Sequence, residues 1–137
     1  MRHLLASLWA LIAISVCAEA HAGKRVALVI GNAVYQHTAE LNSPGNDAAD
    51  VTAMLQRLGF EVVDGRDLDK RSMERLIRQF VAKLTGADVA MFFYAGHGLQ
   101  VSGRNYLVPV DARLETERDL DFEGVALDFV LRQMELD

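Results

Sequence analysis

The stretch Asp88-Val-Ala-Met-Phe-Phe-Tyr-Ala-Gly-His-Gly98 decides the fold. Seven of the eight residues from Asp88 to Ala95 are apolar or aromatic, and the run stops at His97, which stands between two glycines. A continuous apolar run of this length, ended by glycine, is typical of a strand buried on both faces of a sheet. Taken alone, the histidine between glycines is equally consistent with an ordinary turn and with a functional site.

Apolar patterns before this strand predict a repeating order of strand and helix. The β-branched run Arg25–Ile30 predicts a first strand, and Phe60–Val63 predicts a second. After a turn at Ser43-Pro44-Gly45, apolar residues at helical spacing predict a helix from Asn46, its N-cap, to Leu58, with Gly59 ending it.

A second helix is predicted from Met73 to Leu84 and is closed by Gly86. The resulting βαβαβ order predicts an α/β fold with a parallel sheet and helices packed on its faces. Beyond His97, a hairpin is expected around Ser102-Gly103, followed by a charged surface loop over Asp111–Asp121. A third helix is expected from Gly124.

The first 22 residues have the pattern of a secretory signal peptide. A short basic start precedes an apolar segment, Leu4–Val16, and small-residue cleavage sites end at Ala20 and Ala22. The segment is short for a membrane span, although an uncleaved anchor or a misassigned start codon is the alternative. A lipid anchor on Cys17 is disfavoured, because Val16 is bulkier than such signals tolerate. We therefore expect a secreted or periplasmic domain over residues 23–137, free of the membrane after cleavage.

Composition excludes several classes of function. The net charge of −5, with no evident stripe of lysine and arginine, gives no field that would attract nucleic acid. Cys17 is the only cysteine, so signal cleavage would remove every thiol and any thiolate metal site. The first strand is followed by no glycine-rich phosphate motif, and His37 has no second ligand at metal-binding spacing, so no metal or nucleotide cofactor is expected.

The predicted fold places His97 where ligands gather. In an open parallel sheet, reactive groups collect at the carboxyl ends of the strands, and His97 follows the third strand at that edge. Gly31-Asn32 ends the first strand there, and Asp47 begins the helix that follows. A histidine in this position can act as a general acid or base near neutral pH.

Five motifs occur in an order that carries a family resemblance: Lys24-Arg-Val-Ala-Leu-Val-Ile-Gly-Asn32, Gly45-Asn-Asp-Ala48, Leu58-Gly-Phe60, Tyr94-Ala-Gly-His-Gly98 and Asn105-Tyr-Leu-Val-Pro-Val-Asp111. Together they resemble the catalytic domain of caspase-like cysteine peptidases, in the bacterial caspase and metacaspase branch. The resemblance implies a three-layer α/β/α fold, a peptide or protein substrate, and a Cys–His dyad whose thiolate attacks the peptide carbonyl.

The resemblance also implies roles for individual residues. His97 matches the dyad histidine, and Gly98 matches the residue whose backbone N–H holds the oxyanion. Tyr94 and Ala95 lie beside them; relatives often have serine at the position of Ala95, so one hydrogen bond of the specificity pocket is expected to be missing. Asp47 matches an acidic pocket residue of metacaspases, which cut after Arg or Lys. A plain helix-terminal acid explains Asp47 equally well.

The chain departs from the family pattern in its nucleophile. The catalytic cysteine is expected after the third helix, at the end of a fourth strand, and the sequence as given stops at Asp137. A truncated peptidase that is inactive alone is one interpretation, and a pseudo-peptidase that binds peptides without cutting them is the other. An unrelated α/β domain that binds a small molecule is a third. Some metacaspases bind calcium through loop aspartates, and Asp111, Asp119, Asp121 and Asp128 offer carboxylates here. Acids in a solvated loop are the more ordinary explanation, so the sequence does not support a calcium site.

Overall fold

The computed structural model of the protein describes residues 23–135, so the predicted signal peptide, residues 1–22, lies outside the described part. The elements, in chain order, are β1 Arg25–Gly31, α1 Pro44–Arg57, β2 Glu61–Arg66, α2 Lys70–Leu84, β3 Val89–Ala95, β4 Gly98–Val101, β5 Arg104–Leu107, a 3₁₀ turn at Glu117–Asp119, α3 Leu120–Glu123, β6 Val125–Ala126 and α4 Leu127–Gln133.

Two small sheets organise these elements. The main sheet has the order β2-β1-β3, and β1 pairs in parallel with both neighbours. The second sheet has the order β4-β5-β6 and is antiparallel. The parallel sheet with helical crossovers confirms the predicted α/β class.

The central strand β1 separates two helical layers, because successive side chains of a strand point to opposite faces. Val26, Leu28 and Ile30 pack with α2, whose Phe80 is fully buried. Ala27 and Val29 pack on the other face with α1. The layers are therefore helix, sheet and helix, as the family resemblance implied.

The start of α1 corrects a prediction. The helix begins at Pro44 with Ser43 at the N-cap, so Asn46 is not the cap and Ser43-Pro44-Gly45 is not a separate turn. Proline suits the first helical position, because its missing N–H would have no partner there and its φ is already helical. The end of α1 is as predicted, since Gly59 has a φ of +80°.

The burial of β3 was also predicted wrongly. Within the described residues β3 pairs only with β1 and lies at the edge of the sheet. Val89 and Met91 are 42% and 37% exposed, whereas β1 is buried from Val26 onward. The apolar run predicts a strand correctly, but its composition does not reveal how much of the strand is covered.

The segment after His97 is partly as predicted. Ser102 and Gly103 have φ of 49° and 76°, the positive values that a tight two-residue hairpin turn requires, and they connect β4 to β5. The helix expected from Gly124 instead begins at Leu127, because Val125 and Ala126 pair with β5. The charged loop contains the 3₁₀ turn and the start of α3, which the sequence pattern does not indicate.

Helix α2 carries an arginine stripe, contrary to the prediction that the chain has none. Arg71, Arg75 and Arg78 are all exposed on this helix.

No helix between residues 23 and 135 combines the length and apolar composition needed to cross a bilayer.

Asn32 ties the end of β1 to three other segments. Its side chain is fully buried, its Oδ1 accepts from the Leu68 N–H at 2.9 Å, and its Nδ2 donates to the Val108 carbonyl at 3.3 Å. Its backbone N–H donates to the Ala95 carbonyl at 2.8 Å. The carboxyl ends of β1 and β3 and the strand-like segment at Val108 are therefore joined at one residue.

Replacing Asn32 with alanine should lower the free energy of unfolding by about 1 to 3 kcal/mol, because the part-buried Leu68 N–H loses its acceptor and the Val108 carbonyl keeps only its bond from the Tyr94 hydroxyl. Urea unfolding followed by circular dichroism measures the change. Asn42→Ala is the control, because Asn42 is exposed in a loop and should cost little. Equal losses in the two variants would contradict this account of Asn32.

Candidate active site

His97 follows β3 at the carboxyl edge of the parallel sheet, as the sequence predicts. Its imidazole is half-buried, and Nε2 lies 2.7 Å from the carbonyl oxygen of Ala39, in the loop between β1 and α1. A carbonyl oxygen only accepts, so Nε2 carries the proton in this contact. The Ala39 carbonyl thus selects the ring tautomer and leaves Nδ1 as the basic nitrogen of neutral His97.

Two tyrosines hold the backbone of His97. The His97 N–H donates to the Tyr35 hydroxyl at 2.7 Å, and the Tyr94 hydroxyl donates to the His97 carbonyl at 2.7 Å. The two hydroxyls are 3.3 Å apart. Because the single proton of Tyr94 points to carbonyl oxygens, Tyr35 is the donor between the hydroxyls. We call Tyr35 and Tyr94 the tyrosine pair.

The tyrosine pair is uncharged across the physiological range. Burial raises the pKa of Tyr94 far above its ordinary value, and it is also the main reason that the pKa of Tyr35 is raised. A raised tyrosine pKa keeps the neutral hydroxyl to higher pH, so both donors keep their protons. The Tyr35 ring also packs against the His97 ring, with centroids 4.5 Å apart and planes tilted by 54°.

Gly96 leaves room for this arrangement. A Cβ atom on Gly96 would lie 2.6 Å from the Tyr94 hydroxyl and 2.7 Å from the Tyr35 hydroxyl. The two oxygens occupy the space that any side chain would need. Gly98 differs, because a Cβ there would meet only the Tyr106 carbonyl, at an ordinary 3.5 Å.

The peptide unit between His97 and Gly98 has a fixed orientation. Its carbonyl accepts from the Val108 N–H at 3.0 Å as well as from Tyr94. The described chain contains no cis peptide bond, so the Gly98 N–H points opposite to this carbonyl, away from β5. The geometry leaves that N–H turned outward beside the histidine.

A cavity of about 250 Å³ opens beside His97. One part of its wall is polar and includes His37, Thr38 and His97, and the other part is apolar and includes Val108 and Leu114. His37 accepts a hydrogen bond at Nε2 from the Arg113 Nε, 3.1 Å away, so that nitrogen is already engaged. The cavity is large enough for a side chain and lies within reach of the imidazole.

The remaining predicted site residues are arranged less closely. Ala95 ends β3, and its carbonyl accepts from Asn32. Asp47 is exposed in the first turn of α1, at the same edge of the sheet, but it does not line the cavity beside His97. Its role in a pocket and its role as a helix-terminal acid both stay predictions.

Three of the four aspartates considered as calcium ligands, Asp111, Asp119 and Asp121, have protein partners. Asp111 accepts from the Lys70 N–H at 2.9 Å, the Asp119 carboxylate accepts from the N–H groups of Glu115 and Thr116, and Asp121 accepts from the Tyr106 hydroxyl at 2.7 Å. Across residues 23–135, no group of three or more His, Cys, Asp or Glu side chains is placed to hold a metal ion.

Sequence reasoning missed two contributors to the site. The sequence pattern assigns no role to Tyr35 or to the Ala39 carbonyl. A backbone carbonyl leaves no signal in residue type. Tyr35 had a signal, since a tyrosine in a polar loop next to a strand end has a hydroxyl that usually finds a partner when buried.

Replacing Gly96 with alanine should lower the free energy of unfolding by about 1 to 3 kcal/mol, because the new methyl group overlaps two hydroxyls that are held by His97. Gly98→Ala is the matched control and should cost clearly less, because its surroundings have room. Urea unfolding of both variants is the measurement. A Gly96→Ala protein as stable as the Gly98→Ala protein would show that the tyrosine hydroxyls are not fixed.

Comparison with known proteins relates this geometry to a family. The protein family described as the caspase domain matches this chain over residues 24–135. The chain is 36% identical to the human mucosa-associated lymphoid tissue lymphoma translocation protein 1 over 88 residues, which is 64% of this chain and 11% of that protein. It is 30% identical to dog caspase-1 over 77 residues, which is 55% of this chain and 19% of that protein. The chain spans less than a fifth of the length of these relatives. The match over residues 24–135 confirms the resemblance found in the sequence, and the chain belongs to the caspase domain family.

Proposed function

We propose that this caspase domain is part of a cysteine-type endopeptidase in which His97 is the dyad histidine. The observation that carries the proposal is the Ala39 carbonyl on Nε2 of His97, which leaves Nδ1 as the base at the carboxyl edge of the sheet. A relative named caspase-1 supports the same reaction class. The substrate class is a peptide or protein. The proposed nucleophilic thiol lies outside the 137 residues, because Cys17, the one cysteine among them, falls in the predicted signal peptide.

The mechanism follows from the orientation of His97. Nδ1 takes the proton of an approaching cysteine thiol, and the thiolate attacks the carbonyl carbon of the scissile peptide bond. The Gly98 N–H, turned outward, donates to the oxyanion that forms. The imidazolium then gives its proton to the leaving amine, and water hydrolyses the thioester in a second step.

We further propose that Asp47 selects Arg or Lys at the cleaved bond. Its carboxylate is exposed at the edge of the sheet that carries His97, so a guanidinium or ammonium group of the substrate can reach it. An exposed acid at this edge supports the assignment, although it does not line the cavity beside His97. Charge-assisted hydrogen bonds to a carboxylate are the physical basis for such a preference.

The peptidase is tested on protein made from its gene with any coding sequence that follows residue 137, using peptides that end in Arg, Lys or Asp at the cleaved bond. Cleavage after Arg or Lys is expected. His97→Ala should lower kcat/KM by about 1000-fold, because it removes the general base and acid. No cleavage by a protein that has a stop codon after Asp137 would overturn the peptidase and favour a peptide-binding module.

Asp47→Asn should lower kcat/KM for Arg and Lys substrates by about 10- to 100-fold, because a charged hydrogen-bond partner is lost. Asp50→Asn is the matched control, since Asp50 is an exposed acid of the same helix one turn further on. The two variants are compared on the same peptides. Equal losses would indicate that Asp47 acts only through the charge of α1.

We propose that the peptidase needs no calcium. Asp111, Asp119 and Asp121 already accept hydrogen bonds from protein groups, so they are poorly placed to gather around an ion. Cleavage in excess EGTA should therefore equal cleavage in calcium. If EGTA abolishes the activity and calcium restores it, the peptidase requires calcium and the proposal is wrong.

We also propose that the protein is secreted or periplasmic, with residues 1–22 as a cleaved signal peptide. The support is the basic start, the apolar segment and the small-residue cleavage sites of the sequence. N-terminal sequencing of the exported protein tests this, and a mature chain that begins at His21 or Gly23 is expected. A protein that keeps Met1 and stays in the cytoplasm would overturn it.

A further inference from the structure

The backbone of His97 is held at both polar ends by side chains from other segments. Tyr35 belongs to the loop after β1 and accepts from the His97 N–H, while Tyr94 belongs to β3 and donates to the His97 carbonyl. The two hydroxyls contact each other, so the hydrogen bonds form a closed ring around one residue. This closed set of hydrogen bonds fixes both the position and the rotation of the His97 backbone.

Each tyrosine has a separate consequence for chemistry. Tyr35 also packs its ring against the imidazole and stands four residues before Ala39, whose carbonyl binds Nε2. Tyr94 binds the carbonyl of the peptide unit that contains the Gly98 N–H. Tyr35 therefore acts on the orientation of the base, and Tyr94 acts on the orientation of the oxyanion donor.

We propose that Tyr35 and Tyr94 are positioning residues, whose hydroxyl groups hold His97 where the Ala39 carbonyl fixes the ring tautomer and where the Gly98 N–H keeps its direction. This inference rests on the proposed peptidase for its catalytic meaning. Its structural content, the hold of two hydroxyls on His97, is independent of any activity.

The test uses the uniformly ¹⁵N-labelled protein and three variants, Tyr35→Phe, Tyr94→Phe and Tyr106→Phe. Each variant keeps the aromatic ring of the tyrosine and loses only the hydroxyl group. Tyr106 is the matched control, because it is also buried but donates to Asp121 and not to His97. Imidazole ¹⁵N chemical shifts report the His97 tautomer, and amide exchange reports the protection of the His97 N–H.

In the unaltered protein the Nε2–H tautomer of His97 should predominate. Tyr35→Phe should speed exchange of the His97 amide by about 10-fold, because the amide loses its acceptor, and should mix the two tautomers. Tyr94→Phe should shift the Gly98 amide resonance, because the carbonyl of the same peptide unit loses a donor. Tyr106→Phe should change none of these.

In the peptidase, Tyr35→Phe should lower kcat by about 10-fold with KM unchanged, because the base is misoriented while the substrate contacts stay. Unchanged His97 and Gly98 signals in both tyrosine-pair variants would overturn the inference and leave the peptidase intact. If the signals shift but the protein never cleaves a peptide, the positioning of His97 is supported and the proposed peptidase function is overturned. If the Tyr35→Phe variant fails to fold, the His97 and Gly98 signals of the Tyr94→Phe variant test the inference.

Discussion

The site depends on one buried amide side chain, that of Asn32. Parallel strands bring their carboxyl ends to one edge, but strand pairing alone does not fix the loops that leave this edge. Asn32 supplies the missing connection, since its donors and acceptor bind Ala95, Leu68 and Val108. Val108 in turn donates to the His97 carbonyl, so the position of the histidine is linked to the core through hydrogen bonds.

This organisation explains why the site contains so few charged groups. His97 is held by the Ala39 carbonyl and by two hydroxyls, all of them neutral. Neutral partners satisfy a half-buried backbone without the desolvation cost that a buried carboxylate would bring. Specificity for a charged substrate is then expected from the rim, where Asp47 is exposed, and the chemistry from the neutral interior.

The features that the sequence predicts are those that local rules determine. The apolar run of β1, the amphipathic helix α2 and the Ser102-Gly103 turn each follow from residue types over a short window, and each is present. The strand β6 could not be predicted, because two residues become a strand only through their pairing with β5. The same limit applies to the site: His97 is marked by its glycines, whereas the Ala39 carbonyl becomes a partner only after the chain has folded.

The tyrosine pair also explains the pattern that marks the histidine. Gly96 is small because the two hydroxyls fill the space above it, whereas a Cβ atom on Gly98 would have room. The steric constraint therefore applies to Gly96 and not to Gly98. Because the His97 carbonyl and the Gly98 N–H share one planar peptide unit, a rotation that turns the Gly98 N–H also breaks the contacts of the carbonyl to Tyr94 and Val108. The proposed general base and the proposed oxyanion donor are thus coupled through the His97 backbone, which Tyr35 binds at the N–H and Tyr94 binds at the carbonyl.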